Sequence, residues 1–255
     1  MLKYYKNGKV DFKMTLREVS TKQAHRIYGD TLPLIVQNRL EQELNAIEKY
    51  KFEQIYISAL FVKGRANEGG FLTFTRGSVG GSFVSFLMGI TEINPLPAHY
   101  VCHKCHYSEF ASSDGCGYDL PDKICPVCGE MVDKNGHNIL FETFAGVDGS
   151  NRPNFFFNIA PENAKMVENI ISEGEIQFPI YPHIAISHIK SLEDLTGVLA
   201  SEIPFNDKKT MEFLFKNSEM SYAGLSDSDA EAMQRIIEVS KPNTFSDLVK
   251  VRNLC

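Results

Sequence analysis

Two short knuckles, CHKC at Cys102 to Cys105 and CPVC at Cys125 to Cys128, constrain this chain more than any other feature. Nineteen residues separate them. A CxxC turn presents two thiolates to one ion, and four soft sulfur ligands at this spacing suit a structural zinc tetrahedron. The stretch from Cys102 to Gly136 is rich in Cys, Gly, Asp and Pro and poor in aliphatic residues, so hydrophobic burial alone does not hold it together. Closed four-thiolate coordination leaves no position for water or substrate, and the metal is expected to be a staple rather than a catalyst. The competing reading is a degenerate knuckle that no longer holds an ion. His103, His106 and His137 each offer a nitrogen that could replace a thiolate, Cys116 reads as a spare thiol between the knuckles, and Cys255 has no evident partner.

The rest of the chain has no need of such a staple. With 255 residues, 43% of them hydrophobic, it can bury a core without disulfides. No apolar run approaches the roughly 20 residues of a membrane span, and the opening MLKYYKNGKVDFKM lacks the apolar stretch of a signal peptide. The expectation is a cytoplasmic protein with no membrane partner, whose six cysteines stay reduced. The formal charge is −6, unevenly spread: seven Lys/Arg against Asp11 and Glu18 make the segment from Met1 to Arg26 +5, which leaves −11 for the remainder. That basic end is either a solvated tail or a phosphate contact. Overall acidity argues against gripping a duplex by charge alone.

Periodicity supplies the elements. Asp30 and Thr31 before Pro33 read as a cap, and Leu40, Leu44 and Ile47 repeat at helical spacing among Glu41, Glu43 and Glu48. Residues 52–64 fit a helix or a buried strand. FLTFT at 71–75 reads as a strand, 82–90 as a helix, and FETFAG at 141–146, NFFFNI at 154–159 and IYPHIAI at 180–186 as strands. Helices are expected at 191–198, 209–216 and 229–240, the last with a capping box from Ser228 to Glu231.

Between the 71–75 strand and the 82–90 helix stands RGSVGGS. Glycines let backbone approach a phosphate, amides at a helix start favour an anion, and Arg76, Ser78 and Ser82 add donors. A tight turn explains the same residues, and the Lys-Ser/Thr pair of a Walker motif is absent. There is no GxSxG elbow, and His183 and His188 beside Ser187 read as ordinary surface or core residues. No candidate strand carries the paired carboxylates of two-metal chemistry.

In order along the chain stand IYGDTLPLIVQNRLEQELNAI, TRGSVGGSFVSFLMGITEINPLPAHYVCHKC, SDGCGYDLPDKICPVCG and NGHNILFETFAGVDG. Together they resemble the PolC-type DNA polymerase III of Gram-positive bacteria, nearly continuously from Thr21 to Gly149 and more weakly from Phe178 onward. The resemblance implies an α+β fold: a polymerase beta-like nucleotidyltransferase palm remnant with helical segments and an inserted four-cysteine zinc module. It implies a basic segment at 1–26, thumb and palm-like helices with the glycine loop at 27–98, the zinc module at 99–137, palm-like strands at 138–190 and a helical region at 191–255. Phosphate binding would fall to Arg76, Gly77, Ser78, Gly80, Gly81 and Ser82, and structural Zn²⁺ to Cys102, Cys105, Cys125 and Cys128.

The family's two-metal site uses the aspartates of a PDIDLNF strand, where this chain reads PNFFFNI. The two aspartates correspond to Asn154 and Phe156, and a third family aspartate to Ala185. An amide and a phenyl ring do not hold Mg²⁺, so Mg²⁺ and phosphoryl transfer are not expected. Two functional readings follow: a non-catalytic homologue that serves DNA replication by binding DNA, a nucleotide or a replication protein, or a polymerase fragment that works with another chain supplying the missing parts. A chain with no present role is the third.

Overall fold

The computed structural model describes residues 15–111, 115–172, 176–203, 207, 209, 212 and 235–250 with their side chains, a few further positions by their backbone, and no others. Two short strands, β1 (Tyr5–Lys6) and β2 (Lys9–Val10), pair antiparallel ahead of three helices: α1 (Leu16–Tyr28), α2 (Leu34–Lys49) and α3 (Glu53–Ala66). Thr15 and Glu18 form a capping box at the start of α1, each side chain accepting the other residue's backbone N–H. Helix α1 continues past residue 26, and its Arg17 reaches Glu41 at 2.8 Å and Glu48 at 2.6 Å on α2, so this part of the basic end is structured.

The start of α2 differs from expectation. Neither Asp30 nor Thr31 caps it; Pro33 occupies the cap position with no side-chain bond. Proline disfavours helical backbone in the residue before it, which keeps the chain extended until Leu34. Val36, Leu40, Leu44 and Ile47 then line one buried stripe. The ambiguous segment after Phe52 is the helix α3, whose Ile55, Tyr56, Ala59, Val62 and Ala66 are buried at spacings of three and four.

Against these helices lies a sheet of three strands, β3 (Phe74–Arg76), β7 (Phe156–Ile159) and β8 (Ile180–Pro182), with β7 in the middle. β3 pairs antiparallel with β7, while β8 runs parallel to β7 after the crossover helix α6 (Pro161–Glu173). Helix α6 is tied to the end of α3 by Asn163, which donates to the carbonyls of Ala66 and Glu68 at 2.9 Å each. Phe157 and Ile159 face the helices and are wholly buried.

Two expected strands are corrected. FETFAG forms the short helix α5 (Phe141–Ala145), because Phe141, Phe144 and Ala145 must reach the same buried side and Gly146, at φ 76°, ends the turn. IYPHIAI is a strand only through Pro182: His183 Nδ1 accepts from the Ala185 N–H, and α7 (Ile184–Thr196) begins there rather than at Ser191, stopping at the left-handed Gly197. The helix expected over 82–90 is shortened to α4 (Phe83–Leu87). The expected helix at 209–216 and the Ser228 capping box lie outside the described residues, apart from isolated positions, and 235–240 is helical.

A second sheet, β5 (Ser108–Phe110), β4 (His99–Val101) and β6 (Asp133–Asn135), carries the cysteine knuckles. Its fully buried interior is small: Tyr100, Cys102, Cys125 and Val132. Asp119 in this module caps the final described helix, Phe245–Arg252, accepting from the N–H groups of Phe245 at 2.8 Å and Ser246 at 2.9 Å. The described residues thus mix helix and sheet in α+β fashion around a four-cysteine cluster. No helix among them is long and apolar enough to cross a membrane.

Candidate functional site

The structure brings all four knuckle cysteines together. Their sulfurs lie within 4.8 Å of one another, with Cys102 Sγ to Cys128 Sγ and Cys105 Sγ to Cys125 Sγ both 3.4 Å. A zinc ion with Zn–S bonds of about 2.3 Å places its sulfurs about 3.8 Å apart, so this donor set fits such an ion. Each of the two short contacts joins one cysteine of the first knuckle to one of the second, which is the arrangement a shared ion requires. The three histidines are engaged elsewhere: His103 pairs with Asp133, His106 Nδ1 lies 3.2 Å from the Ile27 carbonyl, and His137 Nδ1 is 3.6 Å from Cys116 Sγ. Substitution of a thiolate by a histidine is therefore set aside among the described residues.

The glycine loop lies where β3 meets β7. Gly77 has φ 105°, and a Cβ there would sit 2.6 Å from the Asn154 carbonyl oxygen and 2.9 Å from the Phe156 ring. Asn154 Oδ1 accepts from the Ser78 N–H at 2.6 Å, and the Asn154 N–H donates back to Ser78 Oγ at 3.3 Å. Two more loop amides, of Gly80 and Ser82, bond within the turn, to Gly77 and Val79 carbonyls. Gly81 is bare because a Cβ would meet that of Phe144 on α5 at 2.8 Å.

Ser82 is a correction. Read from the sequence as a phosphate ligand, it is wholly buried: its hydroxyl donates to Glu43 at 2.9 Å and accepts from the Ser85 N–H at 3.1 Å. The place an anion would take at the start of α4 is filled by Glu43 itself, which accepts from the N–H groups of Phe83 at 2.8 Å and Val84 at 3.0 Å. Arg39 Nε meets the same carboxylate at 2.6 Å, while its other nitrogens donate to the carbonyls of Gly81 and Ile139. Tyr56 Oη, 3.3 Å from Ser82 Oγ, closes the cluster, and burial next to Glu43 raises its pKa well above the ordinary phenol value. Of the loop's side chains only Arg76 is fully outside, and it makes no ion pair among the described residues.

In the sequence Glu43 stands with Glu41 and Glu48 among the apolar repeat of Leu40, Leu44 and Ile47, with no role marked for it. Its signal was the spacing: Glu43 stands three residues after Leu40 and four before Ile47, on the stripe that α2 buries. A carboxylate on such a stripe requires partners, and Arg39 one turn earlier is the first of them.

Asn154 and Phe156, the positions that the sequence resemblance pairs with the family aspartates, stand at the strand-loop junction. Register places Arg76 opposite Phe156, Phe74 opposite Asn158, and Asn158 beside Tyr181, so one face of the sheet presents these five residues. None is a carboxylate. This donor set does not fit Mg²⁺, which demands hard, charged oxygen ligands. Ala185 lies off the sheet altogether, in the first turn of α7, because His183 ends β8 and begins that helix.

The model of the bacterial DNA polymerase III alpha NTPase domain matches residues 14–177, more than half of the chain. The DNA polymerase III PolC-type of Thermotoga petrophila is 41% identical over 194 residues, covering 71% of this chain and 14% of the relative. The proteins of that name from Caldanaerobacter subterraneus subsp. tengcongensis and Streptococcus sanguinis are each 48% identical, over 63% and 58% of this chain and 12% and 10% of their own lengths. This chain therefore spans a seventh or less of the relatives it matches. It belongs to the bacterial DNA polymerase III alpha family and is similar to part of the PolC-type members.

Proposed function

We propose that this chain is a non-catalytic member of its family: a nucleotidyltransferase palm remnant with a zinc-stapled module that serves DNA replication as a binding unit. The observation that carries the reading is the pair Asn154 and Phe156. Two-metal phosphoryl transfer holds both ions on carboxylates between the attacking and leaving oxygens. Here one position is an amide whose oxygen is already bonded to the Ser78 N–H, and the other is a phenyl ring packed over Gly77. Removing charged ligands from both positions takes away the means of assembling the ions, whatever the rest of the site provides. The zinc module keeps a complete donor set, which supports selection for its shape rather than for turnover. The glycine loop serves first as scaffold, because Glu43 fills the anion position and Asn154 binds the first loop amide; residual triphosphate binding is expected to be weak, with a Kd of ~1 mM or higher. DNA and replication proteins are the partner classes that the family suggests.

Template-directed primer extension by the purified chain, with Mg²⁺ or Mn²⁺, tests this reading. The expected result is no incorporation. Incorporation by the chain alone, or on adding other replication proteins but lost in Asn154→Ala, would instead support a working polymerase fragment.

A further inference from the structure

The turn that carries Cys116 and Asp119 lies inside the nineteen-residue span between the knuckles, and it grips a helix more than a hundred residues further along the chain. Asp119 accepts from the N–H groups of Phe245 and Ser246 and from the Ser246 hydroxyl, while Ser246 Oγ accepts from the Cys116 N–H at 3.0 Å. The Phe245 ring meets Tyr118 and His137 edge to face, with centroids 5.3 Å and 6.1 Å away. All of these contacts engage the first two residues of the helix. Further along it, Val249 is 42% exposed. A cavity of about 590 Å³ is lined by Phe245, Ser246 and Val249 from the helix and by Cys116, Tyr118 and His137 from the module. A first turn held by hydrogen bonds beside an unfilled cavity is a contact that opens at little cost in buried apolar surface.

We propose that this turn is a latch governed by the metal: the ion in the knuckles fixes the turn in the shape that caps the helix Phe245–Arg252, and losing the ion frees that helix. The inference rests on the zinc-stapled module proposed above and gives it a consequence beyond its own fold. What shapes the turn is its seat on the second sheet. The Gly117 N–H donates to the Gly136 carbonyl at 2.7 Å, a Cβ on Gly117 would overlap the Asn135 carbonyl, and Tyr100 Oη donates to the Pro121 carbonyl at 2.9 Å. Tyr100 belongs to β4, which runs directly into Cys102, and Asn135 ends β6, which starts five residues after Cys128. Four thiolates on one ion tie these two strands together, and a buried cluster of four residues, two of them thiols, does not replace that tie. Capping needs the Asp119 carboxylate within hydrogen-bond reach of two consecutive amides, so a displaced β6 breaks it. The helix does not supply the order itself, because eight residues are too few for an isolated helix in water.

The test is amide hydrogen exchange on the full chain, with zinc content measured on the same samples. Chelation should speed exchange at Phe245 and Ser246 about tenfold or more, and zinc-loaded Asp119→Ala should match the chelated chain at those two amides while still holding its metal. Phe245→Ala lies outside the module and serves where Asp119→Ala takes up no zinc. It should leave zinc content unchanged and raise about tenfold the rate at which iodoacetamide alkylates Cys116, which is 8% exposed beside the docked helix, as read by peptide mapping. Protection of Phe245 and Ser246 that survives in a chain shown to have lost its zinc would overturn the proposal, as would unchanged exchange in zinc-loaded Asp119→Ala or unchanged alkylation of Cys116 in Phe245→Ala. A native chain that binds no zinc would remove the stapled module itself, and the latch with it, so the two failures are read separately.

Discussion

The helical body with its sheet and the cysteine module are built on opposite principles. The body packs a continuous cluster running from Leu16 to Phe178, with Val36, Leu44, Tyr56, Val79, Phe83, Phe157 and Ile159 among its fully buried members. The module's buried cluster is Tyr100, Cys102, Cys125 and Val132, and two of those four are thiols. Burial stabilises by about 25 cal/mol per Å² of apolar surface, so the first region can order itself and the second cannot. What the second has is a donor set already gathered from both knuckles. The difference predicts unequal tolerance to substitution: the body's core should hold its shape whatever stands on the outer sheet face, while the module should lose its shape with any one of its four thiols.

The sharpest way to break this contrast is Cys125→Ser, or removal of the ion by a chelator. Structural zinc is worth about 10–16 kcal/mol to a domain that depends on it, so the module's amide dispersion should collapse while the helical signal of the body persists. Elemental analysis should find one zinc per native chain and little in the variant. A module that stays ordered without metal would mean that its small core suffices.

Glu43→Ala strikes the body at the corresponding point, the polar cluster that joins α2 to α4. It leaves Arg39 buried without its partner and three donors unbonded, at a cost of about 3–5 kcal/mol in chemical denaturation. A loss under about 1 kcal/mol would show that the carboxylate is replaceable by water.

Acid sharpens the comparison at the seam between the regions. His99 opens β4, is fully buried between Tyr28 and Phe110, and is held neutral: burial lowers its pKa from 6.5 to about 4. Its folded pKa lies below the unfolded value, so the unfolded chain takes up the proton first. Stability is complete above pH 6.5 and falls as pH drops toward 4, by about 3 kcal/mol at most. Denaturation at a series of pH values should show this slope, and His99→Gln should flatten it.

The smallest effect belongs to Asn154→Ala, which releases the Ser78 amide at a cost of about 1 kcal/mol. Faster hydrogen exchange at Ser78 alone is the expected sign; unchanged protection would mean that the loop holds itself closed.

Much of this was legible in the sequence, for identifiable reasons. CHKC and CPVC announce their geometry because ligand spacing is a local property, and the α2 stripe follows from its period. The errors lie where tertiary demand overrules local preference. FETFAG has the aromatic content of a strand, yet Phe141 and Phe144 are needed on one buried side of a turn, Phe144 against Gly81 and Phe141 against Gly149. His183 splits IYPHIAI by capping a helix with its ring, a role that no periodicity reveals. Ser82 looks like every serine in a phosphate loop; only the long-range approach of Glu43, on a helix thirty-nine residues earlier, turns it inward.

The central claim is that the sheet face carrying Asn154 and Phe156 does not assemble divalent metal, and Mn²⁺ binding tests it without needing a template, primer or fingers. Titrating Mn²⁺ while following paramagnetic broadening of backbone amides is expected to leave Gly77, Ser78 and residues 154–158 no more affected than the acidic surface elsewhere. Saturable broadening centred on Asn154 and Phe156, and lost in Asn154→Ala, would contradict the account.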